Sequence, residues 1–246
     1  MQGKFNTLVF HRIVHSIPSL FEEVSFDVLK NVINIDMSYK TIDMAISDKD
    51  QKNLVCITFD DGNISDYRIA LPWLVENDIF ATFFVVSDWI GSPGYLDKSQ
   101  ILAMHKLGMQ IGSHSVSHPD FRKISTKEKV YELKKSKRII EGIIGEKITS
   151  FSLPFGFIDN NTIDTVFECG YSYCCISRHG LSKNKSKIIS RNSINKYTSI
   201  SSLEKTILAS ISTQIAWYLE DFVKLFFKNV FPDIYILIRK FYFKIK

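Results

Sequence analysis

Cysteine is scarce in this chain: four residues in 246, Cys56, Cys169, Cys174 and Cys175. Their spacing offers neither a zinc-type pair nor a disulfide framework. They read instead as small buried hydrophobes in a reducing compartment. Proline and glycine are also sparse, at 6 and 11, and no Pro/Gly/Ser-rich linker breaks the chain. No stretch reaches the roughly 20 apolar residues of a spanning helix. The opening MQGKFNTLVFHRIVHSIPSL lacks the charged start, long apolar stretch and small-residue cleavage site of a secretory signal. The expected location is cytoplasmic. Net charge is only +5, and Lys and Arg thicken only in 122–147, 178–191 and the last eight residues. Without a dense basic stripe or a reading element, nucleic acid is not an expected partner.

What the chain does have is ample apolar content, 45%, which disfavours disorder. Short runs rich in Val, Ile, Phe and Cys read as strands: Thr7–Phe10, Leu54–Phe59, Ala81–Val86, Met109–Ser113, Ser150–Leu153, Tyr171–Ile176 and Lys187–Ser190. Most do not alternate with polar residues, as expected of strands covered on both faces. Helical patterns fall between them near 26–34, 65–77, 98–107, 126–144 and 160–168. Ser125 and Glu128 form a capping box at the start of 126–144, and Gly145 suits its end. Strand–helix alternation implies a parallel sheet, either open and doubly wound or closed as a barrel.

The residues just past each strand carry the chemistry. His11 follows the first run and Asp60-Asp61-Gly62 the second. His114, with His118 four residues on, follows the fourth, Pro154-Phe155-Gly156 the fifth and Arg191 the seventh. Parallel α/β folds build their active sites at the carboxyl ends of strands, so these side chains are expected to converge. Asp61, His114 and His118 supply one carboxylate and two imidazoles, a facial set for a divalent metal with open positions. Zinc is the first expectation; cobalt, nickel, manganese and iron also suit such a set. The metal would polarise a carbonyl and acidify its water. Asp60 is then available as general base, and His11 as the acid that protonates a leaving amine. Gly62 permits the sharp turn after the strand. Backbone N–H groups near Phe155 and Pro154 are candidates for holding the oxyanion. Arg191 and Arg12 are candidates for orienting Asp60. His15 is read as structural or exposed, and His105 and His179 as surface residues without a partner. Trp89 is equally a sugar platform or a packing residue.

These motifs resemble the polysaccharide deacetylase family, the NodB-homology type or carbohydrate esterase family four. Thr58-Phe59-Asp60-Asp61-Gly62 is similar to its first motif and His114-Ser115-Val116-Ser117-His118 to its second. Ala81-Thr82-Phe83-Phe84 resembles the strand between them, and the likeness runs over about residues 5–195. It implies a distorted (β/α) barrel of about seven parallel strands. It also implies Asp60 as base with Asp61, His114 and His118 as metal ligands. Leu8-Val9-Phe10-His11-Arg12 resembles the subgroup whose catalytic histidine sits on the first strand, implying the acid role for His11. One departure is clear. Phe151-Ser152-Leu153-Pro154-Phe155-Gly156 carries no arginine where many members have one.

The expected organisation is a catalytic barrel over residues 1–200 and an amphipathic helical tail over 201–246. Leu219, Phe222, Val223, Phe226 and Val230 recur at helical spacing, and DIYILIRKFYFKIK follows Pro232. That tail would pack on the barrel or lie on the inner face of a membrane through residues 233–246. The expected activity is hydrolysis of the N-acetyl group of an amino sugar, in a bacterial polysaccharide or its lipid-linked precursor. The alternatives are a deacylase for another linear amide or an O-acetyl ester, and a barrel that only binds glycan.

Overall fold

The computed structural model describes residues 3–48, 53–156 and 159–230. Seven parallel strands form the frame: β1 (Lys4–Phe10), β2 (Leu54–Phe59), β3 (Ala81–Val85), β4 (Gln110–Ser113), β5 (Ser150–Ser152), β6 (Tyr173–Ile176) and β7 (Ile188–Ser190). Each pairs with the next in sequence. Past β7 the chain crosses to β1, where Asn192–Ser193 pairs in parallel with Leu8 and Val9. The sheet thereby curls into a nearly closed barrel, and all seven expected strands are present. On the same edge, Ser182–Lys183 adds an antiparallel pairing to the start of β1.

The helices are α1 (Phe26–Lys30), α2 (Ile42–Ser47), α3 (Leu71–Glu76), α4 (Lys98–Lys106), α5 (Thr126–Ile144), α6 (Asn160–Glu168), α7 (Ile200–Leu208) and α8 (Ile211–Val230). Ser125 caps α5 with Glu128 as its reciprocal partner, and Gly145 ends it in the left-handed conformation. The expected helix over 65–77 is split. A π-helical turn, Asp66–Ala70, precedes α3, which Pro72 enters at its first turn, where no N–H is needed.

Strand period explains how the interior is built. Along β2, Val55, Ile57 and Phe59 join the large cluster beneath the helices. Leu54 and Cys56 point the other way, into a smaller cluster with Phe84, Cys175 and Ile189. With both faces covered, every residue of β2 is buried, which is why its sequence does not alternate. Ile42 and Ala45 of α2 join the inner cluster. They bring α2 across the amino ends of the strands, where Ile42 N–H donates to Thr82 Oγ1 and Asp43 N–H to Gln110 Oε1. Following the same inward parity up β2 leads from Cys56 to Thr58 and then Asp60. The polar residues therefore sit at the carboxyl mouth.

All four cysteines are buried and free. α7 buries Leu203 and Ile207, and Asn6 Nδ2 donates to the carbonyls of Thr206 and Ile207 at 2.6 and 3.2 Å. The start of the 201–246 segment is thus tied to β1. Residues 233–246, where the sequence suggested a membrane contact, lie outside the described residues.

Candidate active site

Asp60 is buried at the mouth, 3% exposed. Its backbone N–H donates to the Phe10 carbonyl, which ties the ends of β1 and β2 together. Arg191, also buried, donates from Nη1 to Asp60 Oδ1 and from Nη2 to Asp60 Oδ2, each at 2.7 Å. Ser152 completes the cradle, donating to Asp60 Oδ2 at 3.0 Å and accepting from Arg191 Nη2 at 2.8 Å. Burial pushes the Asp60 carboxyl up, but Arg191, His114 and His11 outweigh it and hold the group well below the usual carboxylate range. Asp60 is ionised at any working pH. A fork-on-carboxylate pair of this kind also fixes direction.

Arg191 reaches this position because it lies at the crossover between β7 and the strand that closes the ring. Arg12, the other candidate for orienting Asp60, points elsewhere. Its Nε donates to Asn63 Oδ1 at 3.3 Å and its Nη1 lies 3.8 Å from Glu23. Two residues past β1, its side chain leaves toward the loop that follows β2.

Asp61, one residue on, turns out of the β2 line at φ 77° and keeps about a fifth of its side chain exposed. Gly62 continues the turn at φ 72°, with Val85 close enough that a Cβ would sit 3.2 Å from its methyl. Asp61 Oδ1 lies 3.6 Å from His114 Nε2 and 3.7 Å from His118 Nε2, and the two Nε2 atoms are 3.1 Å apart. Two donors at about 2.1 Å from one ion, cis or tetrahedral, lie roughly 3.0–3.4 Å apart; the two imidazole nitrogens meet that spacing, and Asp61 Oδ1 would close on a shared ion by a few tenths of an ångström. Among the described residues these are the three that come together as a metal-holding group.

The donor chemistry fits as well. His114 Nδ1 is 2.8 Å from the Ser152 carbonyl. A carbonyl only accepts, so Nδ1 carries the proton and Nε2 offers its lone pair to the triangle. His118 is lowered to about 4 by burial and by its neighbour His114, against the pull of Asp61 and Asp60. It is therefore neutral and able to ligate at neutral pH.

The loop between the two histidines is braced by a residue that sequence reasoning missed. Buried Glu132 of α5 accepts the N–H groups of Val116 and Ser117 on Oε2 at 2.8 and 2.9 Å. Its Oε1 accepts the Ser117 hydroxyl at 2.8 Å. Ser115 Oγ accepts the His118 N–H at 3.0 Å. These contacts hold Ser115 and His118 at φ 70° and 59°. Such conformations cost of order 1 kcal/mol or more each and persist only where surroundings impose them. Asp61 and Phe155 share the feature, so strain gathers around the triangle. Ser152 was also missed. Its signal was available in Ser150-Phe151-Ser152, where period two sends both serines inward.

Aromatic rings flank the ligands. Trp89 lies 5.4 Å from the His118 ring and 4.8 Å from Tyr95. Phe155, 46% exposed, meets His118 from another side at 4.7 Å. Its turn is compact because a Cβ on Gly156 would fall on Ser177. Pro154 has no N–H, so its part is to fix the turn. His11 is half-buried and bears electrostatically on both Asp60 and His118. His15 is exposed, away at an edge contact with Phe26. His105 sits beside Glu146. His179, expected to lack partners, stacks on Trp217 at 5.9 Å and meets Asn192.

With this geometry in view, three likenesses are informative. The chain is 34% identical over 114 residues to the peptidoglycan-N-acetylmuramic acid deacetylase PdaC of Bacillus subtilis, covering 46% of this chain and 23% of that one. It is 30% identical over 114 residues to the peptidoglycan-N-acetylglucosamine deacetylase PgdA of Listeria monocytogenes, again covering 46% and 23%. The chain spans less than half the length of the curated relatives it matches. In fold it is similar to the Streptococcus pyogenes deacetylase PplD, solved in complex with acetate. The TM-score is 0.76 at 24% identity, over 84% of this chain and 99% of that one. The model of the polysaccharide deacetylase family matches residues 47–174, just over half of the chain. The strands that carry Asp60, Asp61, His114, His118 and Ser152 all lie within that match, and the chain belongs to the polysaccharide deacetylase family.

Proposed function

We propose that this chain hydrolyses the N-acetyl group of an amino sugar in a bacterial polysaccharide or its lipid-linked precursor. Asp61, His114 and His118 would hold a divalent metal, zinc before cobalt, nickel, manganese or iron. One observation carries the reading: a dry, ionised carboxylate, Asp60, stands 3.8 Å from His114 Nε2 at the edge of the metal triangle. The two relatives named above are peptidoglycan-N-acetylmuramic acid and peptidoglycan-N-acetylglucosamine deacetylases.

The division of labour follows from placement. When bound, the ion polarises the acetyl carbonyl and lowers the pKa of the attacking water, which lets a carboxylate as acidic as Asp60 act as base. Asp60 accepts the water proton, and Arg191 and Ser152 keep its two oxygens aimed. His11, half-buried and close enough to act electrostatically on Asp60, is the group that protonates the departing amine. The turn at Pro154 and Phe155 borders the acyl group, and the backbone at Phe155 is where the oxyanion is placed. Trp89 and Tyr95 form a wall against which an apolar sugar face can rest. Residues 1–200 then form the catalytic unit, with α7 as its brace.

The test is acetate release from a panel of N-acetylated oligosaccharides and peptidoglycan fragments, with and without chelator and with metals added back. Chelator-sensitive release supports the reading. A metal-loaded protein that releases no acetate from any N-acetylated sugar but hydrolyses O-acetyl esters would replace it.

A further inference from the structure

α8 presents an apolar face that the barrel does not use. Ile211, Ile215, Tyr218, Leu219 and Phe222 are all more than half exposed, from 55% to 78%. Their spacing places them within about 100° of the helix circumference, one continuous stripe. The opposite flank is docked. Trp217 is buried and stacks on His179, and His179 Nε2 lies 3.6 Å from Glu220 Oε1. Those contacts fix the roll of the helix and turn the stripe away from the protein. A contiguous exposed apolar stripe of this kind marks a binding surface rather than ordinary surface.

The charges on the loop that holds its docked flank say what kind. The loop that carries His179 also carries Arg178, Lys183, Lys185 and Lys187, all exposed. Lys183 pairs directly across from Lys4 in the sheet, so like charges face each other. None of these five makes an ion pair among the described residues. Beyond α8, the sequence 233–246 adds Arg239, Lys240, Lys244 and Lys246 against one acid, Asp233, amid aromatic and aliphatic residues. No described helix is long and apolar enough to cross a membrane.

We propose that the exposed face of α8, with the lysine-rich edge joined to it through His179, docks on an anionic lipid surface. The helix lies in the plane of the interface, its stripe sunk among the acyl chains and the cations over the headgroups. This goes beyond the reading of the active site and does not depend on it.

The experiment is co-sedimentation of the full chain with phosphatidylcholine vesicles, with and without phosphatidylglycerol. It is run for wild type, for Ile215→Asp/Leu219→Asp and for Lys183→Glu/Lys185→Glu/Lys187→Glu. Wild type should pellet with the anionic vesicles alone, less so in high salt. Each variant should partition about 10-fold less, since one loses apolar burial and the other headgroup attraction. Both sets of side chains are exposed, and a far-ultraviolet spectrum equal to wild type checks the fold. Variants that bind anionic vesicles as tightly as wild type would overturn the proposal. So would wild type staying in the supernatant, or a lipid-free dimer that Ile215→Asp/Leu219→Asp dissociates.

Discussion

The two ends of the barrel treat the same residue type in opposite ways. At the carboxyl end, Asp60 is buried against a guanidinium and held strongly acidic. At the amino end, Asp43 is half-buried, and its partners are neutral: the Thr149 hydroxyl donates to it, and Gln110 and Ser150 complete the layer. Burial there wins, and the Asp43 carboxyl is raised. The difference teaches that depth alone does not decide a carboxylate's charge; the partner does. One end keeps a full charge ready for chemistry. The other spends its polar groups closing the barrel.

Each contrast can be broken separately. Asp60→Asn should reduce deacetylation about 10³-fold or more, the scale expected when a general base is lost, whereas Asp43→Asn should leave turnover unchanged. Initial rates on one N-acetylated substrate decide between them. Equal losses would erase the distinction between the ends.

Arg191→Met removes the counter-charge and strands Asp60 in a dry site. Breaking a buried pair this way should cost roughly 3–5 kcal/mol in chemical denaturation. The sign with pH is fixed by the depressed carboxyl. The stability that Asp60 contributes is present above the ordinary carboxylate range and is lost as pH falls through its folded value. In Arg191→Met that value rises, so the acid limb of kcat/KM should move to higher pH. A limb that stays in place would show that Arg191 does not set the charge of Asp60.

Glu132→Ala should weaken metal binding about 10- to 100-fold, the usual cost of losing a group that orients ligands. Calorimetric titration with zinc measures this directly. Unchanged affinity would mean that the His114–His118 loop keeps its shape without its brace.

The smallest effect is expected at Asp43. Its raised carboxyl opposes folding at neutral pH, and the penalty fades as pH falls below its folded value. Asp43→Asn should melt slightly higher than wild type at pH 7, with the gap closing on acidification. A gap that widens in acid would contradict the sign.

Much of this was legible in the chain, for identifiable reasons. The strands stood out because burial on both faces leaves mostly apolar, non-alternating runs such as Leu54–Phe59. The placement of Asp60, Asp61, His114 and His118 followed from strand ends alone. α2 was not legible, being six residues long with only Thr41 as a start signal. Nor could the sequence choose between Arg191 and Arg12. That choice depends on the crossover after β7 that closes the ring, a contact between residues 131 positions apart. Glu132 was hidden for a similar reason. Its position on α5 looks like any acidic helix residue until the helix packs against the loop that it braces.

The central claim is that adjacent aspartates divide the work, Asp61 with His114 and His118 holding metal and Asp60 moving the proton. The most direct test pairs zinc titration with acetate release for wild type, Asp60→Asn and His114→Ala. The account predicts that Asp60→Asn binds zinc about as wild type does yet releases no acetate, while His114→Ala loses both. Substantial acetate release by zinc-loaded Asp60→Asn, or full zinc affinity in His114→Ala, would contradict it.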